Sequence, residues 1–175
     1  MRLSYLTRLA VAAAALAVLA FAQPPHPCSE ASLHGDYAFE IHGKILIPNA
    51  PQWRDGVALT NFDGRGHLTQ EDFLLSNGVP VPGVPDFDTG FHTAETGTYH
   101  VNGNCTGEME IDFPPPPNQA SGAVLKLMFV LSDRGAVIHA VVAMLTPPGS
   151  DHAVPVAITS TGWRLEARPF WDNAD

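Results

Sequence analysis

GTYHVNGNCTGEMEIDF, residues 97–113, reads as two short strands joined by a tight reversal. Tyr99 and Val101 alternate with Thr98 and His100 in the first arm, and Met109, Ile111 and Phe113 alternate with Glu108, Glu110 and Asp112 in the second. Successive side chains leave a strand on opposite sides, so a period of two with one apolar face marks half-buried β-strands. Asn102-Gly103-Asn104 supplies the turn, since glycine and asparagine tolerate the positive φ that tight hairpins need. Cys105 is thereby held at a fixed place on an edge or rim of a sheet.

The same punctuation extends in both directions. Residues 29–34 are read as a short helical turn, and residues 35–42 alternate Tyr37, Phe39 and Ile41 with Asp36, Glu40 and His42, continuing after a break at Gly43. Residues 52–62 and 67–76 form two further strands around Asp63-Gly64-Arg65-Gly66. Asn77-Gly78 is another turn, and the proline- and glycine-rich residues 79–88 read as an irregular or edge segment. Four prolines, Pro114 to Pro117, favour a polyproline II loop ahead of residues 124–132 and 136–145, which flank Asp133-Arg134-Gly135. Those two strands are apolar at nearly every position, so they are expected to be the most deeply covered pair. A last strand is expected over residues 156–168, with Gly162 marking a bulge.

About eight short strands linked by hairpins, with no amphipathic helix and no repeat of fixed period, predict an all-β, single-domain antiparallel barrel; a β-sandwich is the alternative. Closure removes exposed edges, which favours the barrel. Its expected bounds are residues 35–168, preceded by a leader at 23–34 that carries a disulfide cysteine and followed by a tail at 169–175.

Residues 1–22 have the form of a signal peptide. Arg2 and Arg8 precede an apolar run over 9–21, and Ala20-Phe21-Ala22 is a small-x-small cleavage site. Pro25-His26-Pro27 ahead of Cys28 does not suit lipid attachment. Cleavage would leave 153 of the 175 residues, carrying all eighteen acidic and seven of the nine basic side chains, a formal charge of −11. Such a charge argues against nucleic acid and anionic membrane surfaces as partners. Stable membrane insertion is not expected, and an outer-membrane barrel would need longer strands and aromatic girdles. The expected location is secreted or periplasmic. There, the only two cysteines, Cys28 and Cys105, are most simply a structural disulfide.

The runs Cys28-Ser29, Leu33-His34-Gly35-Asp36-Tyr37-Ala38-Phe39, then residues 56–66 (GVALTNFDGRG), then Gly97-Thr98-Tyr99-His100-Val101 and Asn104-Cys105-Thr106-Gly107 resemble a group of small secreted bacterial proteins of unknown function. These in turn resemble lipocalin-like or allene-oxide-cyclase-like β-barrels. The resemblance implies a barrel with room for a small apolar ligand, and some relatives in such folds are cyclases. None of their catalytic residues maps onto this chain.

Chemistry is sparse in the sequence itself. His34, His42, His67, His92, His100, His139 and His152, with His26 in the leader, are scattered and form no strand H-x-H or helical H-x-x-x-H pair. His92 and Glu95 have H-x-x-E spacing, but in a regular strand that spacing has no geometric meaning. The outer-face reading covers Glu40, His42, Glu108, Glu110 and Asp112. His139 differs because it interrupts an apolar strand, and it is the one candidate for a cavity-lining group. No serine lies in a G-x-S-x-G context and no glycine-rich loop opens a helix, so hydrolase and nucleotide readings lack support. No catalytic residue, metal ligand, cofactor site or cofactor is expected. The functional expectation is an exported barrel that binds a small apolar ligand, or a protein partner through its proline-rich loops. A cyclase- or isomerase-like enzyme acting on a hydrophobic substrate is the alternative.

Overall fold

The computed structural model describes residues 27–81 and 90–166. The signal-peptide reading, the start of the leader, the tail at 169–175 and most of the proline-rich segment at 79–88 fall outside the described residues. Among these residues nine strands follow a 3-10 turn at Glu30–Ser32: β1 (His34–Ile45), β2 (Gln52–Asp63), β3 (His67–Ser76), β4 (Val79–Pro80), β5 (His92–Val101), β6 (Thr106–Asp112), β7 (Val124–Ser132), β8 (Val137–Thr146) and β9 (Val156–Arg164). Every pairing is antiparallel; β9 returns to β1, and β1 through β3 and β5 through β9 close into an eight-stranded barrel with the two-residue β4 added on β3. The predicted barrel is therefore the observed one, and the sandwich is not.

Sequence order is preserved around the barrel, so the loops sort by end. Tight reversals at 63–66, 102–105 and 133–136 lie at one end, and the longer connections at 46–51, 113–123 and 147–155 lie at the other, together with the end of β3 and the start of β5. The tight end is filled. Tyr37, Phe62 and Tyr99 stack edge to face at centroid separations of 5.2 and 5.1 Å, together with fully buried Leu33 and Ile138.

Both phenols also find partners, as buried hydroxyls must. Tyr99 donates to the carbonyls of Leu33 at 3.0 Å and Glu30 at 3.2 Å, while Tyr37 donates to Gly135 O and accepts from Arg164 Nε at 2.8 Å. Arg164 Nη2 donates to Ser32 O at 2.8 Å. The N-terminal segment is thus bound across the barrel end as a plug. The Cys28–Cys105 disulfide fastens it, closing a span of 77 residues. In the turn that carries Cys105, the positive φ of 67° falls on the cysteine itself rather than on Asn102, Gly103 or Asn104. Hairpin loops longer than two residues commonly end on one left-handed residue, and here that residue is the last of the loop.

Three expectations are corrected. The strand does not break at Gly43: β1 runs through it to Ile45 in register with both neighbours. Gly162 marks no bulge, since its pairing with Phe39 and Ile138 is regular; a Cβ there would lie 2.5 Å from the Phe39 ring, and glycine is what lets that ring lie flat on β9. Finally, β7 and β8 are not covered on both faces. Their inward side chains Leu127, Phe129, Ile138, Ala140 and Val142 are buried, but Met128, Val130 and Val141 are about half exposed on the outside, where Met128 opposes Val141. A single-layer barrel leaves the outer side of its strands without a second layer packed on it, whatever residues stand there.

Candidate functional site

Between the aromatic plug and the long loops, the barrel encloses a cavity of about 340 Å³. Most of its wall is apolar, built from inward positions such as Phe39, Ile41, Met109, Leu127, Val142 and Ile158, and its rim includes Pro114, Pro116, Pro147 and Pro148. The proline-rich loops therefore form a mouth.

One side of the wall is polar. The inward positions of β3 run Leu68, Gln70, Asp72, Leu74, so two polar residues occupy the face that apolar ones begin and end. Opposite them, β2 contributes Ala58 and Thr60. From the other flank β5 contributes His92 and Glu95, which regular alternation would place on opposite faces. A β-bulge resolves this. Gln70 pairs with Glu95 and Asp72 with His92, so one residue of β3 faces two of β5, Thr93 and Ala94. Ala94 takes φ 65°, the left-handed region, as the extra residue of the bulge. The kink turns H-x-x-E into a same-face pair.

The resulting chain of contacts is continuous. Thr60 Oγ1 donates to Gln70 Oε1 at 2.8 Å, Gln70 Nε2 donates to Glu95 Oε2 at 2.8 Å, and His92 Nδ1 lies 2.9 Å from Asp72 Oδ1. Asp72 and Glu95 are each only 1 % exposed. Asp72 Oδ2 and Glu95 Oε1 meet no N–H or hydroxyl donor among the described residues, and the two carboxyl groups lie within hydrogen-bonding reach of each other, so that a proton on Glu95 can be shared with Asp72. Burial, and then the charge of Asp72, push the Glu95 carboxyl up to about 8. Burial also raises Asp72, against the opposing pull of the His92 hydrogen bond and charge. The group holds two carboxyls against one imidazole, and no Lys or Arg is ion-paired to either among the described residues. Nearer the mouth, Arg54 donates to Gln52 Oε1 at 3.1 Å and Trp53 O at 3.4 Å, and burial lowers its pKa.

The residues singled out from sequence lie elsewhere. His139 is exposed on the outer face of β8, 3.3 Å from Ser132 Oγ, because the inward positions of that strand are Ile138, Ala140 and Val142. The cavity-lining role expected for it is corrected accordingly. Glu40 and His42 point outward, His42 toward Asp55 at 3.1 Å, and Glu110 meets Lys126 at 2.6 Å on the outer face. His92, counted among the scattered histidines, is instead brought into the barrel wall, with a side chain only 13 % exposed. Sequence reasoning missed Thr60, Gln70 and Asp72, and it set the His92 and Glu95 pair aside because a regular strand gives that spacing no common face. The available signal was polar residues at inward parity between Leu68 and Leu74. A second depression of about 390 Å³ lies outside the barrel over Thr98, His100, Glu108 and Lys126. It is a groove in the solvated face rather than an enclosed site.

Among the described residues no helix is long and apolar enough to cross a membrane. No family model matches the chain, and no curated protein matches it.

Proposed function

We propose that this protein is an exported barrel that binds a small, largely apolar molecule inside. The carrying observation is the cavity itself: about 340 Å³, mostly apolar, plugged at one end and rimmed by prolines at the other. That size is at the low end for small-molecule sites, and an apolar wall with a few placed polar groups is their usual composition. The apolar wall would hold the body of the ligand, and the stripe from Thr60 to His92 would meet a polar substituent. The secretory form of residues 1–22 and the internal disulfide support export to an oxidising compartment. Native mass spectrometry of freshly purified protein tests the reading. A co-purifying small molecule released on denaturation is the expected result; an empty protein that also takes up no apolar probe opposes it.

The two carboxyl groups and imidazole on the cavity wall favour a second reading, a cyclase- or isomerase-like enzyme acting on a hydrophobic substrate. Recovery of the bound molecule separates the two. A binding protein returns it unchanged, whereas an enzyme returns an isomer of the molecule supplied.

A further inference from the structure

We propose that Asp72, His92 and Glu95 form a binding site for a first-row divalent cation, such as Zn²⁺ or Mn²⁺, in the cavity wall. The three side chains can each direct one ligand atom so that all three atoms lie within 4.8 Å of one another. Two carboxylates and one imidazole are a mixed oxygen and nitrogen set, which suits zinc, manganese or iron better than the all-oxygen shells of calcium and magnesium. Thiolate ligation is absent from the site, since both cysteines are in the disulfide.

Acidic clusters are common on surfaces, but this one is buried. Each carboxyl is 1 % exposed, and each retains an oxygen, Asp72 Oδ2 and Glu95 Oε1, that meets no N–H or hydroxyl donor among the described residues. A buried acceptor is costly unless it meets a donor or a cation, and among the described residues the donor within reach of these two oxygens is a proton shared between the carboxyls themselves. A cation held between them satisfies both. The neighbours are already arranged as supports: Gln70 fixes Glu95 through its other oxygen, and Thr60 fixes Gln70. Such outer contacts orient metal ligands. Three protein donors do not complete a four- or six-coordinate shell, so the remaining positions fall to water or to an oxygen of a molecule in the cavity.

The bulge at Ala94 is the second structural argument. It is what gives His92 and Glu95 a common face, and bulges recur where a strand must re-aim a side chain next to a site. The site goes beyond the apolar-ligand reading and does not depend on it.

The test uses the full exported chain, stripped with chelator and then titrated with ZnCl₂ or MnCl₂ by calorimetry, without any apolar compound. One cation per chain is expected, with a rise in Tm. Asp72→Asn and Glu95→Gln keep side-chain shape and should each weaken binding at least tenfold, as should His92→Gln. A His42→Ala, His67→Ala variant removes exposed histidines and should bind as the parent does. Cobalt substitution adds a readout that does not depend on stability, because its visible spectrum should change when His92 is replaced. No saturable binding of either cation overturns the proposal. Binding that survives D72N and E95Q but is lost in the surface-histidine variant overturns it as well. Either failure leaves the native mass spectrum of bound apolar molecules untouched.

Discussion

Replacing Ala94 by glycine should make the protein more stable, although the substitution removes a methyl group from a strand. Ala94 has φ 65°. An L-residue held in the left-handed region costs about 1–2 kcal/mol, and glycine relieves that. The glycine chain is freer when unfolded, which takes back about 0.4–1 kcal/mol. The net gain is about 0.5–1 kcal/mol, which at a denaturant slope of about 2 kcal/mol/M raises the urea midpoint by roughly 0.3–0.5 M. Ala94→Val should move the midpoint the other way, since a β-branched residue is a true outlier at positive φ. Equilibrium urea unfolding followed by tryptophan fluorescence reads both. A less stable A94G protein, or the same shift for both variants, would mean that residue 94 is not the left-handed residue of a bulge. His92 and Glu95 would then lose their common face, and the polar wall with them.

Other outcomes follow from the same structure. Replacing both cysteines by alanine should cost about 4.5 kcal/mol in the loop-closure treatment of a 77-residue span, roughly 15 °C in Tm by calorimetry; an unchanged melting curve would show that the plug needs no fastening. Gly162→Val should destabilise by about 1–3 kcal/mol because its Cβ meets the Phe39 ring, and Phe39→Leu in the same chain should restore part of the loss. If the double variant is no better than the single, the clash lies elsewhere. In metal-free protein, Glu95 has a pKa of about 8 folded against 4.5 unfolded, so the native state binds a proton that the unfolded chain lacks between those values. Stability should therefore fall as pH rises from 4.5 toward 8, and Glu95→Gln should flatten that decline; a slope identical in both proteins would remove Glu95 as its source.

Strand positions were legible because alternation is local. Tyr37, Phe39 and Ile41, or Met109 and Ile111, announce which face is inward without knowledge of any partner strand. Closure and the disulfide followed from strand number and from two cysteines in a chain whose first 22 residues have the form of an export signal. The polar wall was hidden for a different reason. His92 and Glu95 share a face only because one residue between them is extra, and neither Thr93 nor Ala94 is of a type that announces a bulge. Proline or glycine would have drawn attention; alanine at positive φ does not. The misplacement of β7 and β8 has a third cause. A strand apolar on both faces carries no parity signal, so Met128, Val130 and Val141 could not be sorted from Leu127 and Phe129 by sequence. His139 is misplaced for the same reason, since a polar residue in a strand without a parity signal cannot be assigned to the outer face by sequence.

The interior ligand site is tested most directly by titrating an environment-sensitive apolar dye into parent protein, Ala58→Phe and Val130→Asp. Ala58 is buried and lines the cavity beside Asp72, while Val130 stands on the apolar outer strip of β7. The dye should bind the parent once per chain, bind V130D equally, and lose at least tenfold in affinity for A58F, whose ring fills the cavity. Dye binding that persists in A58F and disappears in V130D would place the apolar site on the outside of the barrel and contradict the account.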